Sequence, residues 1–196
     1  MDYKKIALFG GTFDPVHMGH LIIAEWVMEE LALDRIFFVP NLIHPFNKRK
    51  YITPAHQRLR MLELALRGYK RFAIEDVELK RQGTSYAIDT IKYFIDKAPS
   101  AQLFYLIGAD NLPDFEKWKD PQKIKELTNL VVYKRNLNQP VPDSQKNVLF
   151  MDSPIIDISS SKIRARIAEG KSCRSMLPAG VYDYIREHRL YKSYHD

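Results

Sequence analysis

Apolar residues along this chain fall into two patterns, short continuous runs and longer stretches at helical spacing. The short runs predict strands at Lys5–Phe9, Ile36–Val39, Phe72–Leu79, Leu103–Ile107, Leu130–Tyr133 and Val148–Met151. The longer stretches predict helices at about Met18–Leu31, Thr53–Arg67, Tyr86–Lys97, Gln122–Leu127, Ser159–Ala168 and Leu177–Glu187, with Thr53 as an N-cap. The first helix is expected to bury Leu21, Ala24, Trp26, Val27, Met28 and Leu31.

Strands and helices alternate almost throughout, and this order is typical of βαβ units. The sequence therefore predicts an α/β fold in which a mostly parallel sheet carries helices on both faces, with a small helical segment at the C-terminal end. Because Leu103–Ile107 is entirely apolar, we expect it to be a central strand. No repeat and no long linker interrupts residues 1–196, so we predict a single domain.

The most informative stretch is Gly10–His20, between the first strand and the first helix. Gly10 and Gly11 predict a turn at which the backbone can approach a ligand closely, because neither residue carries a Cβ atom. The N-terminus of the next helix offers free N–H groups and the positive end of the helix dipole, which favour phosphate. His17 and His20 share one helix face, and imidazole N–H groups donate well to phosphoryl oxygens. We interpret the stretch as a nucleotide phosphate site.

Two other roles for these histidines stay open, a metal-binding pair and a structural role at the helix start. Zinc needs three or four protein ligands, and the chain has neither a cysteine cluster nor a His-Glu-x-x-His arrangement, so we predict no protein metal site. The Gly-x-Gly-x-x-Gly fingerprint is absent after the first strand, which argues against a nicotinamide-dependent oxidoreductase. The Walker A loop is absent as well.

A second candidate phosphate site begins a helix near the C-terminal end. Serine hydroxyls at positions 159–161, the helix N-terminus and Arg164 one turn later can together surround a phosphate. A serine-rich N-cap is the alternative explanation. Ser159-x-x-Lys162 matches one motif of acyl-serine enzymes, but its companions Ser-Asp-Asn and Lys-Thr-Gly are missing.

Three further residues follow strands or lie in polar stretches where a nucleotide could reach them. Asp110 can accept ribose hydroxyls or cap the next segment, and Trp118 can stack on a heteroaromatic ring or belong to the core. Arg135 can stack on a base or carry a solvated charge. Because the loops after parallel strands meet at one edge of the sheet, these residues and Gly10–His20 can converge.

Composition narrows the class of protein. The formal net charge of +6 fits a polyanionic ligand, although a solvated basic surface is the simpler explanation. Only Lys48–Tyr51 weakly resembles a basic stripe with aromatic residues, so no nucleic-acid partner is predicted. The single cysteine, Cys173, fits a reducing compartment. There is no signal-peptide pattern and no apolar run near the roughly 20 residues that span a bilayer. We expect a cytoplasmic protein without a membrane partner.

The pattern Gly10–Asp14 with His17, Gly19 and His20 resembles the first motif of the nucleotidyltransferase superfamily, and most closely that of bacterial nicotinate-nucleotide adenylyltransferases. Ser159-Ser160-Ser161-x-Ile163-Arg164 resembles that family's second motif, and Ile107–Asp110, Lys117-Trp118 and Lys134-Arg135 match in order and spacing. The resemblance covers essentially the whole chain. It implies a Rossmann-like, doubly wound sheet and transfer of adenylate from ATP to nicotinate mononucleotide, which yields deamido-NAD and pyrophosphate.

The resemblance also implies roles for individual residues. The catalytic set would be Thr12, His17, His20 and Arg164. Other contacts to ATP would come from Gly10, Gly11, Phe13, Gly19, Gly108, Asp110, Arg135, Ile158, Ser160 and Ser161. The mononucleotide would be bound by Asp14, Lys48, Thr84, Ser85, Tyr86 and Trp118, with Trp118 stacked on the pyridine ring. Mg²⁺ would be held mainly by the ATP phosphates, and the chain could form a homo-oligomer.

Three departures from the family pattern concern the loops around the acceptor. The family's Pro-Pro-His-Lys becomes His44-Pro45-Phe46-Asn47 with Lys48 one place late, and its Ser-Tyr-Thr ends in Ala87. The Pro-Gly expected after Arg135 is replaced by Asn and Leu. Because a few polar contacts decide such choices, the first two leave open whether the acceptor is nicotinate or nicotinamide mononucleotide.

Other functions remain alternatives. A phosphopantetheine adenylyltransferase typically has threonine where this chain has His17, and a cytidylyltransferase is usually shorter. A protein that binds ATP without turnover would not need the intact set of His17, His20 and Arg164. A basic module that binds RNA or DNA is the alternative from a different class.

Overall fold

The computed structural model describes residues 3–46, 52–134 and 147–192. Its strands are β1 Lys5–Gly11, β2 Arg35–Pro40, β3 Phe72–Ile74, β4 Gln102–Gly108, β5 Asn129–Tyr133 and β6 Val148–Met151. Its α-helices are α1 Met18–Glu30, α2 Ala55–Ala65, α3 Val77–Arg81, α4 Ala87–Lys97, α5 Pro121–Leu127, α6 Ser160–Ala168 and α7 Ala179–Glu187. Two 3-10 helices cover Ala109–Lys117 and Arg174–Met176. The predicted α/β fold, with its helical segment at the C-terminal end, is confirmed.

The strands form one sheet in the order β3-β2-β1-β4-β5-β6, and every neighbouring pair is parallel. The chain order reverses between β1 and β4, and ligands of such sheets bind in the crevice beyond this point. The register shows how the crevice opens. β1 pairs with β2 as far as Gly11 opposite Pro40, but with β4 only as far as Phe9 opposite Leu106.

Side chains along β1 alternate between two apolar layers, one on each face of the sheet. Ala7 and Phe9 belong to the layer built with α1, α2, α6 and α7. Ile6 and Leu8 belong to the layer built with α4 and α5. Both faces are therefore covered, as parallel sheets require. Among the described residues, no helix has the length and apolar character needed to cross a membrane.

Two strand predictions are wrong in their extent. Gly10 and Gly11 are the last residues of β1 rather than a turn after it, because pairing with β2 continues through both. The strand predicted at Phe72–Leu79 ends at Ile74, since β3 lies at the sheet edge and only three of its residues pair with β2. The end of that stretch, from Val77 onward, belongs to α3, which the alternation of apolar residues did not indicate.

Details of the helices also differ from the predictions. The 3-10 helix at Ala109–Lys117 was not predicted, and its internal proline explains why no regular helix forms there. Trp26 is 40% exposed, whereas Ile23 is buried on the same helix. Thr53 is not the N-cap of α2, because the helix begins at Ala55 and Pro54 occupies the capping position.

Candidate active site

A cavity of about 570 Å³ opens at the crevice between β1 and β4. We call it the main cavity, and its volume is in the range of small-molecule sites. The predicted site residues that line it are Gly10, Gly11, Ser85, Tyr86, Gly108 and Trp118. His44 and Phe46, from the loop that the sequence analysis associated with the acceptor, line it as well, whereas Asn41, Glu78, Tyr105 and Asn111 are lining residues that sequence reasoning missed.

Gly10 is explained by its close approach to Tyr105 on the neighbouring strand. A Cβ atom at position 10 would lie 2.7 Å from the Tyr105 hydroxyl oxygen, closer than real contacts allow. The tyrosine ring also packs edge-on against Trp118, with 6.2 Å between ring centroids. Burial raises the pKa of the Tyr105 hydroxyl, and the nearby Glu78 carboxylate raises it further, so the hydroxyl stays protonated.

Glu78 is a buried acid on the wall of the main cavity, only 5% exposed. The Thr90 hydroxyl donates to Glu78 Oε1 at 2.5 Å. Burial raises the pKa of the Glu78 carboxyl above its ordinary value, while hydrogen bonds from the Thr90 and Ser85 hydroxyls act in the opposite direction. The wall therefore includes an acid that binds its proton more tightly than an exposed glutamate does.

Ser85 joins the loop after β2 to the loop before α4. Its hydroxyl oxygen accepts from the Leu42 N–H at 3.0 Å, and its own N–H donates to the Ile43 carbonyl at 2.9 Å. Thr84, half-buried beside it, forms a parallel bridge with Ile43. We call the two loops, residues 41–46 and 84–86, the loop wall. They form one unit because these hydrogen bonds and the bridge connect them.

Trp118 lies on the β4 side of the main cavity, directly after the 3-10 helix that follows this strand. It is half-buried, and its ring lies 5.3 Å from that of Phe115 in a tilted arrangement. The indole therefore has a fixed place on the lining of the main cavity. Its place on the lining fits the predicted stacking on a ligand, and its packing on Phe115 and Tyr105 fits the core alternative, so both predictions stay open.

His17 and His20 lie on a narrow crevice next to the main cavity, and Tyr133 borders both spaces. The backbone N–H of His17 donates to Nδ1 of the His20 ring at 3.2 Å, and the two imidazole rings stack with their centroids 3.7 Å apart. Because Nδ1 of His20 accepts a hydrogen bond, we infer that Nε2 carries the proton of the neutral ring. Gly19 makes room for this arrangement, since a Cβ there would lie 3.1 Å from His17 Nδ1. Ile158 lines the same crevice.

The loop between β1 and α1 is held from behind by side chains far away in the sequence. Nη1 of the buried Arg58 donates to the Thr12 carbonyl at 2.8 Å. Nη1 of the buried Arg164 donates to the Asp14 carbonyl at 2.7 Å, and the Ser160 hydroxyl donates to the Pro15 carbonyl at 2.8 Å. The two sequence motifs therefore meet through hydrogen bonds to this loop.

The structure places three predicted ligands behind the cavities rather than on them. The Asp14 carboxylate is buried, and it accepts from the Tyr191 hydroxyl at 2.7 Å and the Thr53 N–H at 3.4 Å. Because Asp14 is only 1% exposed, direct contact with a mononucleotide would require this carboxylate to become accessible. The Phe13 ring packs in the core against Phe38, so its side chain does not face a ligand space. Arg164 is likewise buried, with the loop as its partner.

The remaining predicted residues have varied surroundings. Asp110 is exposed in the first turn of the 3-10 helix. The exposed Ser161 hydroxyl lies 3.1 Å from that of Ser159, which caps α6 as predicted by accepting from the Lys162 N–H. The Thr12 hydroxyl accepts from Asn41 Nδ2 at 3.3 Å. Lys48 and Arg135 lie outside the described residues.

Arg58, which the sequence analysis missed, lies at a position in the sequence that could have drawn attention to it. The buried positions of α2 are Arg58, Met61, Leu62 and Ala65, which follow the spacing of an apolar helix stripe. An arginine at such a position is unusual, because buried charges need partners. Tyr191 and Tyr105 gave no comparable signal, since a buried tyrosine looks like any other core residue.

The comparisons with known proteins agree with this geometry. A family model described as cytidylyltransferase-like matches residues 8–166. The chain belongs to this family. A Geobacillus kaustophilus protein named probable nicotinate-nucleotide adenylyltransferase is 40% identical over 190 residues, which cover 95% of this chain and 86% of that one. A Clostridium tetani protein of the same name is 36% identical, covering 96% of this chain and all of that one.

A solved structure shares the fold at lower identity. The Plasmodium falciparum nicotinic acid mononucleotide adenylyltransferase complexed with NaAD aligns with a TM-score of 0.81 at 18% identity, covering 97% of this chain and 98% of that one. The resemblance to bacterial nicotinate-nucleotide adenylyltransferases is thus confirmed by the relatives, and the doubly wound fold by the structural neighbour.

Proposed function

We propose that this protein transfers the adenylyl group of ATP to nicotinate mononucleotide, releasing pyrophosphate and forming deamido-NAD for NAD biosynthesis. The observation that carries the proposal is the pair of adjoining spaces at the β1–β4 opening. One is a crevice lined by two stacked histidines, and the other is a cavity with the volume of a small-molecule site. Relatives that share more than a third of their residues with this chain carry the corresponding enzyme name.

The reaction needs no nucleophile from the protein. An oxygen of the acceptor's phosphate attacks the α-phosphorus of ATP in line, a new P–O bond forms, and the bond to the β-phosphate oxygen breaks as pyrophosphate leaves. Catalysis then consists of positioning and of stabilising the charge that grows on the phosphoryl oxygens. We assign this role to the Nε2–H of His20, with His17, the Thr12 hydroxyl and the α1 N-terminus beside it.

The two substrates are assigned to different parts of the β1–β4 opening. We assign the mononucleotide to the main cavity, where Trp118 offers a ring for stacking and Ser85 and Tyr86 offer polar groups. Asp110, Ser161 and Ile158 stay candidates for ATP. Arg164 and Ser160 would act on the phosphates through the loop that they hold.

Mg²⁺ enters as part of the ATP substrate. Within residues 3–46, 52–134 and 147–192, there is no group of three or more His, Cys, Asp or Glu side chains that could hold a metal ion. The donors near the phosphate crevice are imidazoles and one hydroxyl, whereas Mg²⁺ prefers carboxylate, phosphate and water oxygens. These residues fit an ion that the triphosphate holds, and its charge would help to neutralise the phosphates.

A pyrophosphate-release assay tests the proposal. The protein is mixed with ATP and Mg²⁺, and nicotinate mononucleotide, nicotinamide mononucleotide or phosphopantetheine is added separately. We expect release with nicotinate mononucleotide at a higher kcat/KM than with the other two. Preference for the amide or for phosphopantetheine would change the assigned acceptor. Absence of release with all three, in a protein that still binds ATP, would contradict an enzymatic function.

A further inference from the structure

A buried polar cluster lies directly behind the loop that leads into the histidine motif. Its members are Asp14 on the loop, Arg58 on α2, and Tyr191 four residues beyond the end of α7. These three side chains are 1%, 1% and 7% exposed. The Tyr191 hydroxyl donates to Asp14 Oδ1 at 2.7 Å across 177 positions of sequence. None of these side chains lines the main cavity or the histidine crevice.

Packing of the C-terminal helix explains how Tyr191 reaches this place. Helix α7 lies against α2. A Cβ atom added at Gly180 would be in ordinary contact with Leu64, 3.5 Å from its Cβ atom. The chain then turns back after the helix, and Tyr191 adopts a φ of 66°, in the left-handed region. The conformation is uncommon for a bulky residue, so the surrounding structure must hold it. Burial raises the pKa of the Tyr191 hydroxyl, which therefore keeps its proton as a donor to Asp14.

The hydrogen bonds of the cluster fix the loop at several atoms. Arg58 uses Nε to donate to the Thr53 carbonyl at 2.9 Å and Nη1 to donate to the Thr12 carbonyl at 2.8 Å. The Thr53 N–H in turn reaches Asp14 Oδ2, which ties the start of α2 to the same carboxylate. A buried guanidinium or carboxylate that loses a partner is costly, so these bonds resist movement of the loop.

We propose that Tyr191 is a positioning residue of the adenylyl transfer: by holding the Asp14 carboxylate, it sets the loop that places His17 and His20 at the phosphates. This inference rests on the proposed function. Arg164 and Ser160 hold the same loop through the Asp14 and Pro15 carbonyls, so Tyr191 completes a set of contacts from the C-terminal end. His17 follows Asp14 by three residues, and a shift of the loop therefore moves the imidazoles.

The test replaces only the donor atom. In Tyr191→Phe the ring remains and the hydroxyl is lost, and we expect kcat to fall about 10- to 100-fold, because misplacement of catalytic groups by about 1 Å has effects of this size. The KM for nicotinate mononucleotide should change less than about twofold, since the main cavity is untouched. Tyr184→Phe, a half-buried tyrosine on α7 that stacks on His188, is the matched control and should keep wild-type kcat.

A double-mutant comparison separates positioning from general stability. In an Asp14→Ala background, Tyr191→Phe should lower kcat no further, because the acceptor of its hydrogen bond is already gone. Thermal unfolding of all variants checks that each one is folded at the assay temperature. If Asp14→Ala does not fold, hydrogen exchange of Tyr191→Phe takes its place. We expect faster exchange in peptides that cover residues 12–20 and unchanged exchange in β4 and β5.

Three results would overturn the proposal. One is a wild-type kcat in Tyr191→Phe, the second is an additive loss in the double variant, and the third is unchanged exchange at residues 12–20. If Tyr191→Phe lowers the unfolding temperature but leaves kcat unchanged, the Tyr191–Asp14 hydrogen bond has only a structural role. If the wild-type protein releases no pyrophosphate with any acceptor, the proposed function fails, whereas the exchange experiment still decides whether Tyr191 holds the loop.

Discussion

The two sides of the candidate site are built in opposite ways. The side that carries His17 and His20 is held by buried side chains from α2, α6 and the segment after α7, through hydrogen bonds to one loop. The loop wall consists of two surface loops that hydrogen-bond to each other and, through Asn41, to Gly11 and Thr12, and Ile43 and Phe46 on it are 51% and 44% exposed.

This difference teaches where function can vary. Charge stabilisation depends on donors at fixed positions, so the histidine side needs a rigid support. Recognition of an acceptor depends on a few contacts that can be exchanged without disturbing the core. Substitutions on the histidine side should therefore lower kcat, and substitutions around the main cavity should raise the KM of the acceptor.

The largest expected effect is the loss of the His20 imidazole. His20→Ala should lower kcat by about 10²- to 10³-fold, the usual loss for one donor that stabilises developing charge. Steady-state pyrophosphate release at saturating ATP and acceptor measures it. His56→Ala, on the exposed face of α2, is the control and should keep full activity. Near-normal turnover of His20→Ala would remove the distinction between the two sides.

A smaller effect is expected on the other side of the opening. Trp118→Ala should raise the KM for the mononucleotide about tenfold, because stacking of a base on an aromatic ring contributes about 1–3 kcal/mol. The kcat and the KM for ATP should change little. Trp26→Ala removes an indole that is 40% exposed on α1, so it controls for the loss of a tryptophan. If Trp118→Ala instead lowers kcat without changing the KM for the mononucleotide, Trp118 acts in the chemical step, as expected for the histidine side, and not in binding of the mononucleotide.

The smallest effect concerns stability and comes from Glu78. Its folded-state pKa is raised by burial, so between about 4.5 and that raised value the folded state binds more protons than the unfolded state. The free energy of unfolding of the wild type should therefore fall as the pH rises through this window. Glu78→Gln lacks this loss, so its stability relative to the wild type should increase as the pH rises through this window.

Urea unfolding at a series of pH values between 4 and 8, each with both proteins, would measure the difference. Glu30→Gln, an exposed acid on α1, should follow the wild type at every pH. A parallel course of Glu78→Gln and the wild type would mean that Glu78 ionises as freely as an exposed acid. It would then add a full negative charge to the main cavity.

The sequence predicted the central part of the fold well, for physical reasons. Apolar runs such as Leu103–Ile107 are buried on both faces, so their pattern depends little on context. Elements at the edge of the sheet were predicted less accurately. Val77 continues the alternation of the preceding strand, but β3 has a partner on one side only, and the chain turns into α3 instead. Trp26 lies in an apolar stretch, yet it is 40% exposed.

Prediction of the site was limited in a similar way. Motif residues such as His17 and Trp118 could be found because their chemistry is unusual for their position in the sequence. Glu78 and Tyr105 reach the main cavity only through tertiary packing, and local sequence has no information on which face of a helix or strand meets a cavity. Asp14 has a motif signature, but its partner Tyr191 is 177 residues away.

Which residue fits at position 10 depends on the residue at position 105. A methyl group at position 10 would clash with the Tyr105 hydroxyl oxygen at 2.7 Å, but it would lie at an ordinary 3.5 Å from the ring carbon Cζ. A chain with phenylalanine at 105 therefore has room for alanine at 10, whereas a chain with tyrosine at 105 does not. Alanine at position 10 is therefore accommodated more readily once the tyrosine has become phenylalanine, because with Tyr105 in place its ring would have to shift on the lining of the main cavity.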